Sequence, residues 1–225
     1  AGPEAEFQED QFEAIESCIN KGSKTLLVQK TGWGKSAVYF IAAKYLLENR
    51  NKMTVIVSPL LSLTRNQILN AKNLLNIETI NASEDPEKIR NTENKIKANK
   101  VDVLIVTPQR FFNRKFKEEH FHLIKERAGL FVVDEAHCIS SWGHDFIPSY
   151  MMLVKKVIPS LNVDTSILFT TATADNKVVE DISEENNFSK TIKGDLLRKS
   201  LSVHSFGKQS FKFSIAWFKK NIAVL

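Results

Sequence analysis

Cysteine is scarce in this sequence of 225 residues. The two cysteines, Cys18 and Cys138, stand far apart and form neither a Cys-x-x-Cys pair nor another metal-binding or redox spacing. This excludes a small secreted scaffold held together by disulfides, and it favours a reducing compartment.

Long hydrophobic runs are also absent. No apolar segment reaches the roughly 20 residues that a membrane-spanning helix needs. The N-terminal residues AGPEAEFQED are acidic, whereas a signal peptide would begin with a basic and then an apolar region. Internal repeats and low-complexity linkers are missing as well. The sequence therefore predicts a cytosolic globular protein with no membrane partner.

Basic charge is concentrated at one end of the chain. The formal net charge is +5, but the residues from Asn186 onward hold eight Lys or Arg against Asp195 alone. That segment carries +7, so the residues before it carry −2 in total. The net charge thus describes a basic C-terminal segment, and it does not by itself indicate that the main body binds nucleic acid.

Apolar runs of strand length alternate with segments of helical period. Strands that are apolar on both faces are typical of a parallel sheet covered by helices. Helices are predicted around 37–48, within 60–75 and around 177–185. A further helix is predicted to start at Ser83-Glu84-Asp85-Pro86 and to end before Val101. We therefore predict an α/β fold with a mostly parallel sheet flanked by helices on both faces. The predicted strands are TLLVQ (25–29), MTVIVS (53–58), VDVLIVT (101–107), GLFVVDEA (129–136) and TSILFTTA (165–172).

A glycine-containing turn follows the first predicted strand and precedes the first long helix. Gly34, Lys35 and Ser36 stand where a phosphate-binding loop places its last glycine, its phosphate-binding lysine and its magnesium-binding hydroxyl. Glycines let backbone N–H groups converge on phosphates, and the helix that follows presents its positive end. Gln29 occupies the position of the first glycine of the full pattern, so a sharp bend without a ligand is the alternative.

Two adjacent carboxylates end a later apolar strand. Asp134 and Glu135 follow four apolar residues, and a nucleoside triphosphatase needs a carboxylate for Mg²⁺ and a base for water at such a strand end. The alternative is that the pair caps a helix.

Several segments resemble one known family. The segment DEAHCISSWGHDFIPSY (134–150) is similar to the DEAH box and aromatic-rich loop of RecQ-type DNA helicases, members of helicase superfamily 2. TGWGKS (31–36), VSPLLSL (57–63), VTPQRF (106–111) and TTATAD (170–175) resemble motifs I, Ia, Ib and III in the expected order. The resemblance implies a RecA-like P-loop NTPase domain, the N-terminal motor lobe of an ATP-driven 3′–5′ helicase acting in DNA repair and recombination. It also implies a cytoplasmic location in a bacterium or a nuclear one.

The resemblance implies ATP and Mg²⁺ as cofactors and assigns their ligands. Lys35, Asp134 and Glu135 would be catalytic, Ser36 and Asp134 would bind Mg²⁺, and His137 would relay the state of the γ-phosphate. Gln11 would hydrogen-bond the adenine edge. The remaining nucleotide-binding residues would be Phe7, Thr31, Gly32 and Gly34.

The resemblance also implies single-stranded DNA, or a junction of duplex and single strand, as a partner. The residues that would contact DNA or couple it to hydrolysis are Ser58, Pro59, Thr107, Arg110, Trp142, His144, Asp145, Phe146, Thr171 and Thr173. Core packing is the alternative for Trp142 and Phe146, and a zinc site is the alternative for His137 and His144. Ile147 stands where the family usually has Arg, which predicts modest stimulation by DNA.

The domain boundaries follow from the same resemblance. Residues 1–6 are expected to be an N-terminal extension, such as a cloning remnant, and residues 7–204 the ATP-binding lobe. Residues 205–225 are a basic amphipathic segment that resembles the lead-in to a second motor lobe, which this sequence lacks. Without the arginine fingers of that lobe, the chain alone is expected to bind Mg-ATP weakly, to hydrolyse it slowly and not to unwind DNA. The apolar face of the segment would dock on the same domain or begin a second one. A stand-alone ATP-sensing or protein-docking lobe and a DEAH-type RNA helicase are the alternative functions.

Overall fold

The computed structural model describes residues 6–59, 68, 71–80, 85–140, 147–172 and 176–195. Seven strands form one sheet in the order β3-β4-β2-β5-β6-β1-β7, and each pairing is parallel. The strands are β1 (Lys24–Val28), β2 (Met53–Val57), β3 (Ile77–Ile80), β4 (Val103–Val106), β5 (Ala128–Val133), β6 (Ser166–Thr171) and β7 (Lys190–Lys193). The predicted parallel α/β fold is confirmed.

Six α-helices accompany the sheet within the described residues. They are α1 (Gln11–Ile19), α2 (Lys35–Arg50), α3 (Pro86–Lys97), α4 (Arg114–Arg127), α5 (Pro148–Met152) and α6 (Asn176–Asn186). A π turn (Leu153–Val157) and three 3₁₀ turns (Pro108–Phe112, Ala136–Ile139, Ile158–Ser160) complete the connections. No helix of the described residues is both long and apolar enough to cross a bilayer.

The core divides into one apolar cluster on each side of the sheet. Successive strand residues point to opposite faces, so Leu26 and Val28 join one cluster while Leu27 joins the other. Helices α1 and α2 cover the face of Leu27. Helices α3 to α6 contribute apolar side chains to the opposite cluster. The predicted helices on both faces of the sheet are therefore present.

The start of α3 shows why its prediction succeeded. Asp85 accepts hydrogen bonds from the backbone N–H groups of Glu87 (2.8 Å) and Lys88 (3.3 Å), and Pro86 stands at the first helical position. A capping carboxylate followed by proline is a strong local signal for a helix start. The sequence analysis did not identify α1, β3, α4 and β7, whose apolar patterns are short or interrupted by charges. The predicted helix within 60–75 falls mostly outside the described residues, as does all of 196–225.

Candidate active site

The loop between β1 and α2 has the geometry that phosphate binding requires. Gly32 (φ 87°) and Gly34 (φ 102°) both have positive φ angles, a backbone conformation that residues other than glycine rarely adopt. Gly34 caps α2, and Lys35 is its first residue. The predicted arrangement of strand, loop and helix is present, so the first backbone N–H groups of a 16-residue helix face the carboxyl edge of the sheet.

The side chain of Gln11 forms a hydrogen bond to the backbone of this loop. Its side-chain amide donates to the carbonyl oxygen of Trp33 (2.8 Å), and its Oε1 accepts from the backbone N–H of Gln8 (2.9 Å). A Cβ on Gly34 would lie 2.5 Å from Gln11 Nε2, so the loop and the glutamine are in tight contact. Phe7, four residues before the first residue of α1, is 54% exposed, and its ring centre lies 6.1 Å from that of Phe12. The N-terminal segment therefore places the buried Gln11 amide against the loop, whereas the exposed Phe7 ring packs against Phe12 of α1.

The Lys35 ammonium lies at the mouth of the loop. Its Nζ donates to the carbonyl oxygens of Gln29 (2.6 Å) and Lys30 (3.3 Å). It also lies close enough to Asp134 and Glu135 to interact electrostatically with both carboxylates, which favours their ionised forms. The structure thus brings Lys35 and the two carboxylates together at the carboxyl edge of the sheet.

Asp134 is the first residue after β5 and is held at three atoms. Its backbone N–H donates to the Val57 carbonyl of β2 (2.9 Å), its carbonyl accepts from the Tyr150 hydroxyl (2.8 Å), and its Oδ1 accepts from the Thr170 hydroxyl (2.5 Å). Burial raises the pKa of Asp134 above its usual value, and the hydrogen bond from Thr170 opposes that rise. Asp134 is therefore a desolvated carboxylate, and a nearby cation would stabilise its ionised form.

Glu135 differs from its neighbour in both backbone and environment. Its backbone is left-handed (φ 54°), which is rare for a residue with a long side chain. Its Oε2 lies 3.2 Å from His137 Nδ1, and that hydrogen bond lowers the pKa of Glu135 below its usual value. Glu135 is therefore ionised at neutral pH and can accept a proton.

His137 is held in its charged form. Hydrogen bonds to Cys138 and Glu135 raise the pKa of His137 to about 10, although its partial burial acts in the opposite direction. Its Nδ1 also lies 3.4 Å from the hydroxyl of Thr171, which ends β6. His137 thus links the turn after β5 to the neighbouring strand.

The residues predicted to contact DNA follow other strands at the same edge of the sheet. Ser58 and Pro59 come directly after β2, and Thr107 comes directly after β4. Arg110 lies in the 3₁₀ turn after Thr107, but its guanidinium forms an ion pair with Glu93 of α3 (2.7 Å). Five predicted residues lie outside the described part of the chain, namely Trp142, His144, Asp145, Phe146 and Thr173.

Two residues that contact Asp134 were not identified by the sequence analysis. Thr170 precedes the predicted Thr171 and, because side chains alternate along a strand, points to the other face and reaches the carboxylate. Tyr150 comes from α5 and reaches the Asp134 carbonyl. The available sequence signal for Thr170 was a polar residue directly after the apolar run ILF (167–169). Tyr150 had no comparable signal.

The donor set fits a magnesium–triphosphate group. Lys35 and the N-terminus of α2 suit phosphate oxygens, whereas the Asp134 carboxylate and the Ser36 hydroxyl are hard oxygen ligands of the kind Mg²⁺ prefers. Among the described residues, no group of three or more His, Cys, Asp and Glu could hold a metal ion alone. Mg²⁺ commonly takes one or two protein ligands and completes its shell with phosphate and water.

Comparisons with known proteins agree with this geometry. Residues 8–182 match the model of the DEAD/DEAH box helicase family. The chain is 35% identical over 185 residues to ATP-dependent DNA helicase RecQ of Haemophilus influenzae, covering 80% of this chain and 28% of that protein. It is 34% identical over 194 residues to ATP-dependent DNA helicase Q-like 5 of Arabidopsis thaliana, covering 86% of this chain and 20% of that protein. The chain therefore spans less than a third of the length of these relatives.

Solved structures show the same fold. DEAD-box helicase Mss116 bound to ssRNA and UDP-BeF superposes with a TM-score of 0.65 at 19% identity, over 86% of this chain and 41% of that chain. The Hef helicase domain of Pyrococcus furiosus gives a TM-score of 0.61 at 18% identity, over 82% of this chain and 37% of that chain. The fold is that of a RecA-like helicase domain, and the resemblance to RecQ helicases is confirmed. This chain belongs to the DEAD/DEAH box helicase family.

Proposed function

We propose that this chain is the ATP-binding and ATP-hydrolysing motor lobe of a RecQ-like DNA helicase. The proposal depends on one observation: Lys35, Asp134 and Glu135 lie close together at the carboxyl edge of the sheet. Lys35 comes from the loop between β1 and α2, and the two carboxylates follow β5. Open parallel sheets bind their ligands at that edge.

Nucleotide binding follows from the charges and donors already described. Lys35 and the N-terminal amides of α2 hold the phosphates, and Gln11 with Phe7 contacts the adenine. Thr31, Gly32 and Gly34 shape the loop around the phosphates. Ser36 and Asp134 hold Mg²⁺, which when bound neutralises charge on the phosphate oxygens.

The chemical step needs a base that stays ionised beside a negatively charged substrate. Glu135 meets this need, because the hydrogen bond from His137 keeps its pKa low. Glu135 orients the attacking water and accepts its proton. The charged His137 lies between Glu135 and Thr171, so its two contacts join the catalytic carboxylate to β6.

Nucleic acid is proposed to bind along the ends of β2 and β4. Ser58, Pro59 and Thr107 lie there, and Trp142, His144, Asp145 and Phe146 are proposed to couple single-stranded DNA to hydrolysis, together with Thr171 and Thr173. The pairing of Arg110 with Glu93 favours a structural role for Arg110 over a direct phosphate contact. The chain spans less than a third of the length of its relatives. We further propose that a longer protein containing this lobe unwinds DNA in the 3′–5′ direction.

The test is nucleotide binding and hydrolysis by this chain and three variants. We expect Lys35→Ala to abolish saturable binding of a fluorescent ATP analogue. Glu135→Gln is expected to keep binding but to lower the hydrolysis rate by about 100-fold or more. Glu126→Gln, an exposed carboxylate at the far end of α4, is the control and should match the wild type. Equal hydrolysis rates in Glu135→Gln and wild type would show that the catalytic assignment is wrong.

The nucleic-acid partner is tested in the same assay. Single-stranded DNA should stimulate hydrolysis more than RNA of the same length and sequence. Greater stimulation by RNA would favour an RNA helicase.

A further inference from the structure

Tyr150 is a buried tyrosine next to the catalytic turn with a specific hydrogen bond. Its side chain is 0% exposed, and its hydroxyl donates to the Asp134 carbonyl oxygen at 2.8 Å. Burial raises the pKa of Tyr150 well above the ordinary value, so the hydroxyl stays protonated and remains a donor. The residue is far from Lys35 in sequence and belongs to none of the nucleotide-binding or DNA-binding residues assigned above.

The bond from Tyr150 acts on one peptide unit, the one that joins Asp134 to Glu135. The carbonyl of that unit accepts from Tyr150, and its N–H, which belongs to Glu135, donates to the Asp134 carboxylate. Both polar ends of the peptide are therefore occupied, and its orientation is defined. Rotation of this peptide would break both bonds at once.

This peptide needs such support because of the conformation that follows it. Glu135 has a left-handed backbone (φ 54°), which costs a residue with a side chain about 1–2 kcal/mol. The backbone N–H of Asp134 is fixed to Val57 (2.9 Å) on the preceding side. The hydroxyl of Tyr150 is thus the side-chain contact that holds the carbonyl where the strained turn begins.

Tyr150 itself is placed by the chain on either side of residues 141–146. The backbone N–H of Ile147 donates to the Cys138 carbonyl (3.0 Å), and that of Tyr150 donates to the Ile147 carbonyl (2.9 Å). These bonds tie the start of α5 to the 3₁₀ turn after Glu135 (Ala136–Ile139).

We propose that Tyr150 is a positioning residue, whose hydroxyl orients the Asp134–Glu135 peptide and thereby aims the Glu135 carboxylate at the reacting centre. The inference rests on the proposed ATPase function, because Glu135 is the catalytic base in that proposal. In this role Tyr150 acts through its hydrogen bond to the Asp134 carbonyl and not through a contact to substrate or metal.

The test removes the hydroxyl and keeps the ring. In Tyr150→Phe, we expect the single-turnover rate of ATP cleavage to fall about 3- to 10-fold, which corresponds to one hydrogen bond. Nucleotide affinity without Mg²⁺ should stay within about twofold of wild type, because Lys35 and the loop are untouched. The control is Tyr45→Phe, which removes the hydroxyl of an exposed tyrosine on α2 and should change neither quantity.

A second measurement does not depend on activity. In the nucleotide-free chain, the backbone amide of Glu135 should exchange with deuterium at least about fivefold faster in Tyr150→Phe, because its peptide is released. Replacing Tyr150 with para-aminophenylalanine restores a donor and should recover slow exchange and most of the cleavage rate. This replacement also serves if Tyr150→Phe does not fold.

The possible outcomes separate this inference from the proposed function. Unchanged exchange at Glu135, an unchanged cleavage rate, or an equal loss of Mg²⁺-free affinity and rate would each overturn the positioning role. If the wild type neither binds nor cleaves ATP, the proposed function fails, and amide exchange still reports whether Tyr150 holds the peptide.

Discussion

The ion pair between Arg110 and Glu93 leads to a prediction that separates a structural role from DNA binding. The two side chains are only 12% and 8% exposed, and the Arg110 guanidinium also lies 5.2 Å from the centre of the Phe116 ring. His120, which is fully buried, lies 3.7 Å from the same Glu93 oxygen. Arg110, in the 3₁₀ turn that follows β4, thus contacts side chains of both α3 and α4.

The perturbation is Arg110→Met, which removes the charge and keeps an unbranched apolar stem over Phe116. It leaves the Glu93 carboxylate buried beside His120, and loss of one partner of a buried pair costs about 3–5 kcal/mol. The remaining exposure of both groups places the expected loss near the lower end, about 3 kcal/mol. For a chain of this size that corresponds to a fall in the unfolding midpoint of about 6–12 °C.

The assay is thermal and urea unfolding with two companion variants. Arg114→Met removes an arginine of an exposed pair with Glu118 (91% and 61% exposed) and should leave the midpoint within about 1 °C. The double variant Glu93→Gln/Arg110→Met leaves no unpaired charge and should recover at least about half of the loss. A single variant no less stable than Arg114→Met, or a double variant as unstable as the sum of the single ones, would refute the reasoning.

The same variant tests the DNA role of Arg110. A direct contact to one phosphate of a single strand contributes about 0.7 to the slope of log affinity against log salt concentration. We expect the slope to be unchanged in Arg110→Met, because the guanidinium is bound to Glu93. A slope reduced by about that amount would establish a phosphate contact.

Three further predictions concern the active site. Gly34→Ala should weaken binding of a fluorescent ATP analogue by about tenfold or more, and Gly32→Ala should weaken it less. Both glycines have left-handed backbones, but of the two only Gly34 has an atom within 3 Å of an added Cβ. Equal losses in the two variants would contradict this. Thr170→Val removes a hydrogen bond to Asp134 and should raise the pKa of Asp134 further. Mg²⁺-dependent affinity for the ATP analogue should therefore fall by about tenfold near pH 6 and by less near pH 8. An equal loss at both pH values would exclude this cause. His137 has a raised pKa and stabilises the fold fully below its unfolded pKa of about 6.5; its contribution is lost as pH rises towards about 10. The stability lost in His137→Gln, measured by urea unfolding, should therefore be largest near pH 6, and a loss that grows with pH would contradict the assignment.

Much of the fold could be predicted because its signals are local in the chain. The apolar runs that form β1, β2, β5 and β6 and the Asp85-Pro86 start of α3 each depend on a few neighbouring residues. The elements that were missed have weaker local signals. Helix α4 carries charges throughout the sequence RKFKEEHFHLIKER, and only Phe116, His120 and Ile124 are buried.

The position of the candidate site could also be predicted, because the proposed phosphate and metal binding would require particular residue types at particular strand ends. Gly34, Lys35 and Ser36 follow β1, and Asp134 and Glu135 follow β5, as those roles demand. The resemblance to RecQ helicases added the residues whose roles depend on DNA. For Arg110, however, the motif alone gave no indication of the buried partner Glu93.

The contacts among these residues depend on the order of strands in the sheet, which no local pattern specifies. Strand β6 lies between β1 and β5, so Thr170 reaches Asp134 and Thr171 reaches His137, although each partner is more than thirty residues away in the chain. The same packing lowers the pKa of Glu135, the proposed base, and desolvates Asp134, the proposed metal ligand. Residue identity thus decides which chemistry is possible, whereas burial and partners from distant segments decide the charge state and direction of each group, because electrostatic energies depend on distance and on the exclusion of water.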